Sequence, residues 1–271
     1  MSHLPTLLVV FAHPDDEAFP TGGVMAHYAK LGYKVYLACA TRGEAGQLKD
    51  PSLGENLDMA AVRTKELELS CAALGVEAPI FLGWHDSGRN ERLRRDDPKA
   101  LHNASLFEVE QTIREVIERV QPTVMITFDP HGGYGHPDHL VIHRAATAAF
   151  YSTGHLPSPP RRLFYSAWTI ERMIQMQQSQ QRDSIVGGLE PTLYGVHPNT
   201  LALTVDVSAY VPQKMAAARA HRSQFAQLTS DAVPPERRAQ MEQMFSKEFF
   251  SLGGTRGAIP NWPLGDLFEG L

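Results

Sequence analysis

The chain is 271 residues long and 43% hydrophobic, with 25 Lys and Arg against 30 Asp and Glu for a formal net charge of -5. That composition is ordinary for a globular protein with a sizeable core, and it leaves no basic footprint for nucleic acid, so small molecules are the expected partners. Only two cysteines occur, Cys39 and Cys71, which excludes a disulfide framework, fits a reducing compartment and reads as core packing. No apolar run approaches the ~20 residues of a membrane span, and no basic flank precedes a leader-like segment. A cytoplasmic protein without membrane contact is the expectation.

The first strand signal is Leu7 to Phe11, an apolar run that breaks at once into His13, Asp15, Asp16 and Glu17. An uninterrupted apolar run reads as a parallel strand buried on both faces, and ligands sit where such strands end. Thr21 to Leu31 has helical spacing with Gly32 as a stop, and Lys34 to Ala40 is a second strand ending in Thr41-Arg42-Gly43-Glu44-Ala45-Gly46. Leu57 to Leu74 follows as a helix. A third strand, Pro79 to Leu82, runs into Gly83-Trp84-His85-Asp86-Ser87-Gly88.

Arg89 to Asn103 is charged and aperiodic, a surface excursion able to fold over a site. Leu106 to Val120 is helical in pattern, with Ser105 as N-cap and Glu108 completing a capping box. Thr123 to Phe128 is the fourth strand, and Asp129 to His139 after it is the second polar cluster, with His136 and His139 near the start of the helix that continues to Tyr151. Leu163 to Trp168 and Leu201 to Val207 read as further strands, Val211 to Leu228 and Pro235 to Phe245 as helices. Gly187 to Asn199 reads as a loop, and Gln175 to Gln181 as a solvated helix end.

This alternation argues for parallel βαβ units with right-handed crossovers. The expected fold class is α/β: a three-layer, mostly parallel, Rossmann-like sheet with a C-terminal elaboration. No linker divides the chain, so one domain over 1–271 is expected, its core at about 4–150 and its elaboration at about 160–271.

His13 and Asp16 are three apart in a turn, and His136 and His139 are three apart where a helix begins. Three protein ligands with an open fourth position form the pattern of catalytic zinc, although iron or manganese also suits nitrogen and oxygen donors. Adjacent side chains diverge, so of Asp15 and Asp16 one can bind metal while the other faces the attacking water. Metal lowers the pKa of its water and a carboxylate takes the proton, which is hydrolytic chemistry. A histidine paired with a carboxylate, as the composition of His136 and Asp138 allows, can stay protonated and stabilise an oxyanion. His-Pro-Asp also makes good turns unaided. Two such clusters at strand ends in one α/β pattern weigh against that simpler account.

Ala12-His13-Pro14-Asp15-Asp16-Glu17 and Gly135-His136-Pro137-Asp138-His139 resemble the paired signatures of the LmbE-like, or PIG-L, deacetylases. These are zinc-dependent hydrolases that remove acetyl from N-acetylglucosamine-containing compounds, including those of mycothiol and bacillithiol pathways. The resemblance implies His13, Asp16 and His139 as metal ligands and Asp15 as general base. It implies His136 as the charged group beside the oxyanion, Asp138 setting its charge and orientation, and Tyr134 as a further oxyanion donor. The loop with Glu44, the helix Arg63 followed by Glu66, and Asp86 before Ser87-Gly88 resemble the family's substrate-contacting positions. Ala220-His221-Arg222-Ser223-Gln224 resembles a short C-terminal motif.

Without the family, Arg63 reads as a surface residue pairing with Glu66 or Glu68, Asp86 as a turn former, and His221 as a packed helix residue. His131 and His143 read as structural, and His85 as a rim residue.

The expected activity is removal of the acetyl group from an N-acetylglucosamine-containing small molecule. Two alternatives remain: an amidase of a mycothiol-like thiol conjugate, and a metal- or sugar-binding module without turnover. The sequence does not choose the group beyond the sugar. Phe249, Phe250, Ile259 and Trp262 are candidates for a homo-oligomer contact, with packing on their own domain the favoured reading.

Overall fold

The computed structural model describes residues 5–179, 190–229 and 235–271. The apolar runs of the first half become four strands: β1 (Thr6–Phe11), β2 (Lys34–Cys39), β3 (Ile80–Phe81) and β4 (Val124–Phe128). Leu7 to Phe11 and all of β4 are buried, as central strands covered on both faces must be. Between them run α1 (Gly22–Lys30), α2 (Met59–Leu74) and α3 (Leu106–Val120). The Asp58 carboxylate accepts from the Ala60 and Ala61 amides to cap α2, and Gly75 ends that helix in the left-handed region. Ser105 does precede α3, but its side chain makes no capping hydrogen bond, so the expected capping box is not formed.

After β4 come a broken helical turn, α4 (Gly132–Gly135), then α5 (Pro137–Ser152), β5 (Arg162–Ala167), α6 (Ile170–Ser179) and α7 (Pro191–Tyr194). The chain continues through β6 (Leu203–Asp206), α8 (Val211–Ala220), α9 (Ala226–Thr229), α10 (Pro235–Met244) and β7 (Lys247–Thr255). The expected helix over 211–228 is therefore two pieces, and β7 is a strand that the sequence pattern does not announce. Of the expected loop over 187–199, residues 187–189 lie outside the described residues, and the remainder carries α7.

The seven strands form one sheet in the order β3-β2-β1-β4-β5-β7-β6. The first five are mutually parallel, whereas β7 runs antiparallel to both β5 and β6. The chain lays β2 and β3 outward from one side of β1, then returns to set β4 on the other side. Between β1 and β4 lies the switch point where open α/β sheets bind ligands. Right-handed crossovers put α1 and α2 on one face and α3 and α5 on the other. Accordingly α1 contacts α2 and α8, while α3 contacts α5.

Cys39 and Cys71 are buried free thiols. Phe250 lies in the core, while Trp262 is among the exposed large apolar residues. Among the described residues no helix is long and apolar enough to cross a membrane.

Candidate active site

The turn that follows β1 and the helix start that follows β4 meet across the switch point. His13 sits at the end of β1, buried, and its backbone N–H donates to Asp16 Oδ2 at 2.7 Å, which closes the turn. His139 lies in the first turn of α5, and Phe128 at the end of β4 stacks on its ring at 4.0 Å.

Three acceptors converge here. His13 Nδ1 and His139 Nε2 lie 3.2 Å apart, Asp16 Oδ2 is 3.4 Å from the former, and Asp16 Oδ1 is 3.2 Å from the latter. The outer nitrogens explain why both inner ones present lone pairs. His139 Nδ1 is 2.9 Å from the Gly132 carbonyl and His13 Nε2 is 3.0 Å from Asp138 Oδ2, so each outer nitrogen carries the proton that it donates. Fixing a ligand histidine's tautomer through its far nitrogen is how outer partners prepare metal sites. In a tetrahedral site with bonds of about 2.0–2.1 Å, donor atoms stand about 3.3–3.4 Å apart. The spacings, with a different Asp16 oxygen facing each imidazole, suit a cation of that kind.

Without a cation the triangle must hold a proton. Burial opposes charge on His13, but Asp86, Asp138 and Asp16 outweigh it and hold its pKa well above the ordinary value. Burial likewise opposes ionisation of Asp16, and the imidazoles of His139 and His13 outweigh it, leaving the carboxyl well below its usual range.

Asp15 points elsewhere. Its φ of 121° lies in the region that L residues rarely adopt, a strain of about 1–3 kcal/mol that clusters at functional sites. Its carboxylate is partly exposed and lies 3.2 Å from Arg63 Nη2. Burial pushes its pKa up to about 6, against the opposing pull of Arg63. A carboxylate so poised near neutrality is suited to general base work.

Arg63, on α2, is buried and faces inward. It donates to the carbonyls of Pro14 and Gly43 as well as facing Asp15. Gly43 has φ +66°, and a Cβ there would meet Arg63 Nη1 at 2.1 Å, so only glycine lets the arginine through. The surface reading of Arg63 is thereby corrected. Asp86 accepts from Ala45 N at 3.2 Å and Gly88 N at 2.9 Å, and lies 3.5 Å from His13 Nε2. It ties the loops after β2 and β3 to the turn after β1. Glu44, on the loop after β2, has a buried Oε2 without a hydrogen-bond partner.

The pairing expected between His136 and the Asp138 carboxylate is not what the structure shows. That carboxylate accepts from His13 Nε2 and from Ser87 N at 3.0 Å, while only the Asp138 backbone N–H reaches His136, donating to Nδ1 at 3.2 Å. The reason is the helix start: His136 is the N-cap of α5, its side chain turned back on the first free amides. Its ring is 4.6 Å from that of His13 and 5.0 Å from that of His139. Burial first, then the neighbouring imidazoles, pull its pKa down to about 2, so it is a neutral donor rather than a cation. Tyr134 lies edge-on to His139 at 5.0 Å, in the broken turn α4, with Arg89 above its ring at 5.2 Å. The 89–103 excursion thus does reach the site.

Of the remaining histidines, His85 pairs with Asp97 at 2.8 Å on the rim, and His143 faces the Phe128 carbonyl at 2.9 Å. His131, on the surface, has its ring beside that of Tyr194. The pattern gave no sign of a further network. Buried Glu17 accepts from Ser70 and lies 2.6 Å from His221, which is 204 residues away in sequence. The acid that closes the His-Pro-Asp-Asp-Glu run and the short motif around His221 each pointed to one half of it, but nothing in the spacing paired them.

Fold and site together define a class: an α/β protein with a buried His/Asp cation site at the switch point of its sheet. Residues 8–150 match the family model described as PIG-L: GlcNAc-PI de-N-acetylase, and the chain belongs to this family. A protein of Thermomonospora curvata called 1D-myo-inositol 2-acetamido-2-deoxy-alpha-D-glucopyranoside deacetylase is 34% identical over 98% of this chain and 96% of its own length. The solved N,N'-diacetylchitobiose deacetylase of Pyrococcus horikoshii superposes with TM-score 0.58 at 21% identity, covering 91% of this chain and 83% of its own. GalB, the 4-carboxy-2-hydroxymuconate hydratase of Pseudomonas putida, superposes with TM-score 0.60 at 19% identity, covering 95% of this chain and all of its own. These two structures show the fold. That a hydratase shares it means the reaction must be argued from the site.

Proposed function

We propose that this protein is a zinc-dependent N-deacetylase that hydrolyses the acetamide of an N-acetylglucosamine-containing small molecule. The observation that carries the reading is the convergence of His13 Nδ1 and His139 Nε2, 3.2 Å apart, with one Asp16 oxygen within 3.4 Å of each and both tautomers fixed from behind. These three residues would hold the metal, and their mixed nitrogen and oxygen donors suit zinc. When bound, the ion supplies Lewis acidity, making water acidic enough to attack near neutral pH and polarising the acetamide carbonyl.

The chain's own groups do the rest. Asp15, lifted to about 6, takes the proton of the attacking water and returns it to the departing amine nitrogen. Arg63 restrains that carboxylate. His136 uses the proton on its outer nitrogen to stabilise the oxyanion, with the Tyr134 phenol as a second donor. Asp138 orients His13, and Asp86 joins the metal turn to the loops that border the substrate. Glu44, on the loop after β2, accepts a sugar hydroxyl.

Metal analysis of the purified protein, with acetate release from the N-acetylglucosaminyl-inositol named for the Thermomonospora curvata relative, tests the reading. One zinc per chain and stoichiometric acetate are expected. A chain that takes up no metal, or that loads zinc yet releases no acetate, would falsify it.

A further inference from the structure

We propose that His221 is a positioning residue for Asp15, acting through the carboxylate of Glu17. The proposal rests on the reading of Asp15 as the base. Glu17 Oε2 accepts the backbone N–H of Asp15 at 3.1 Å, so this carboxylate holds the one residue of the turn whose φ is positive. Its other oxygen takes Ser70 Oγ at 2.5 Å and His221 Nε2 at 2.6 Å. Neither Glu17 nor His221 is exposed to solvent. The histidine is therefore the far end of a relay of fixed bonds: His221 to Glu17, Glu17 to the Asp15 amide, and that amide to the direction in which the Asp15 carboxylate leaves the turn.

The chain pays a local cost to build this. The apolar spacing would continue α8 toward Leu228, yet the helix stops at Ala220 and His221 takes a non-helical conformation. The next residues are each fastened to the same wall of the site. Arg222 reaches Asp50 at 2.5 Å and Ser52 at 2.7 Å, Ser223 reaches both oxygens of Glu66 at 2.6 and 2.7 Å, and Gln224 reaches the Gln47 carbonyl at 3.1 Å. His221 Nδ1 is buried without a partner. A buried ionic pair with an orphaned nitrogen is a poor way to gain stability, since apolar residues of similar volume are often as stable. A hydrogen-bonded pair that fixes a strained turn gains geometry, and misplacement of a reacting group by about 1 Å can cost about a hundredfold in rate.

Three variants test the relay. His221→Leu abolishes the donor, His221→Asn is too short to reach Glu17 and guards against a folding failure of the leucine variant, and His221→Gln can still donate. Two measurements are made on each: amide exchange of Asp15 by NMR in the metal-free protein, and kcat, KM and zinc content with the N-acetylglucosaminyl-inositol. In the first two variants Asp15 should lose exchange protection and kcat should fall roughly tenfold or more, with KM and zinc content unchanged, and glutamine should restore most of both. If exchange and kcat stay at wild-type values while only thermal stability drops, the positioning role is overturned. It is also overturned if kcat falls only in step with zinc content. An inactive wild type would instead overturn the deacetylase reading, and the Asp15 amide would still report whether the relay exists.

Discussion

Asp15 and Asp16 are neighbours with opposite electrostatic fates, and the cause is geometry rather than residue type. Asp16 turns back on the His13 amide and faces two imidazoles, whereas the positive φ of Asp15 throws its carboxylate toward Arg63. Asp15→Asn should therefore keep its zinc and lose about 10²- to 10⁴-fold in kcat, while His139→Ala should lose both metal and activity; metal analysis beside acetate release separates the two. The proton on His13 yields a pH prediction. Its folded pKa is raised above 6.5, so between that value and the raised one the metal-free fold binds a proton that zinc must displace from Nδ1. Apparent zinc affinity should climb with pH across this window, by up to about tenfold per unit, and level off above the folded pKa. Chelator competition at several pH values checks the slope, and calorimetry in buffers of different ionisation enthalpy should count about one proton released. Asp138→Ala, which removes the partner of His13 Nε2, should weaken zinc about 10- to 100-fold.

At the scale of elements, the C-terminal strands and α8 hold the walls of the site against α1 and α2. Glu248 on β7 accepts from the Gly23 and Val24 amides at 2.7 and 2.8 Å, capping α1, and pairs with Lys214 of α8 at 2.6 Å. Both side chains of that pair are fully buried, and Lys214 also donates to the Phe245 carbonyl. Burial lowers the Lys214 pKa, with Glu248 opposing that shift. Glu248→Ala removes the cap and leaves a buried ammonium without its counter-charge, a loss of about 3–5 kcal/mol. The double variant Lys214→Met, Glu248→Gln, which removes the charges together and keeps an acceptor for the cap, should lose less. Urea unfolding midpoints decide between them, and equal losses would show that the pair is not the source.

For the molecule as a whole, the candidate metal centre bridges β1 and α5, joining the two halves of the sheet on either side of the switch point. Occupancy should therefore stabilise the entire fold. At about a hundredfold excess of metal over its dissociation constant the gain is about 2.7 kcal/mol, roughly 5 to 10 °C in Tm for a chain of this size. Scanning calorimetry after chelation, then after zinc is restored, should show that drop and its recovery. His139→Ala should show neither.

The sequence by itself determined the parallel half of the sheet and the two polar clusters at its strand ends, because buried strands are written as apolar runs and the polar residues that follow them are contiguous. His13 with Asp16 and His136 with His139 are each local, so spacing was enough to find them. What depended on distant partners was not legible. The 211–228 pattern is helical throughout, and only Glu17, Asp50 and Glu66 waiting nearby stop the helix at Ala220. The strand β7 carries Gly253 and Gly254, weak strand formers in isolation. Their place is set by Tyr165 and Phe150, whose rings leave no room for a Cβ. The Asp138 carboxylate reads as the partner of its near neighbour His136, yet it reaches His13, 125 residues away, because a helix start turns it toward β1. Residue types and local order chose the chemistry. The tertiary structure alone decided which carboxylate orients which histidine, since that depends on directions in space that spacing along the chain does not encode.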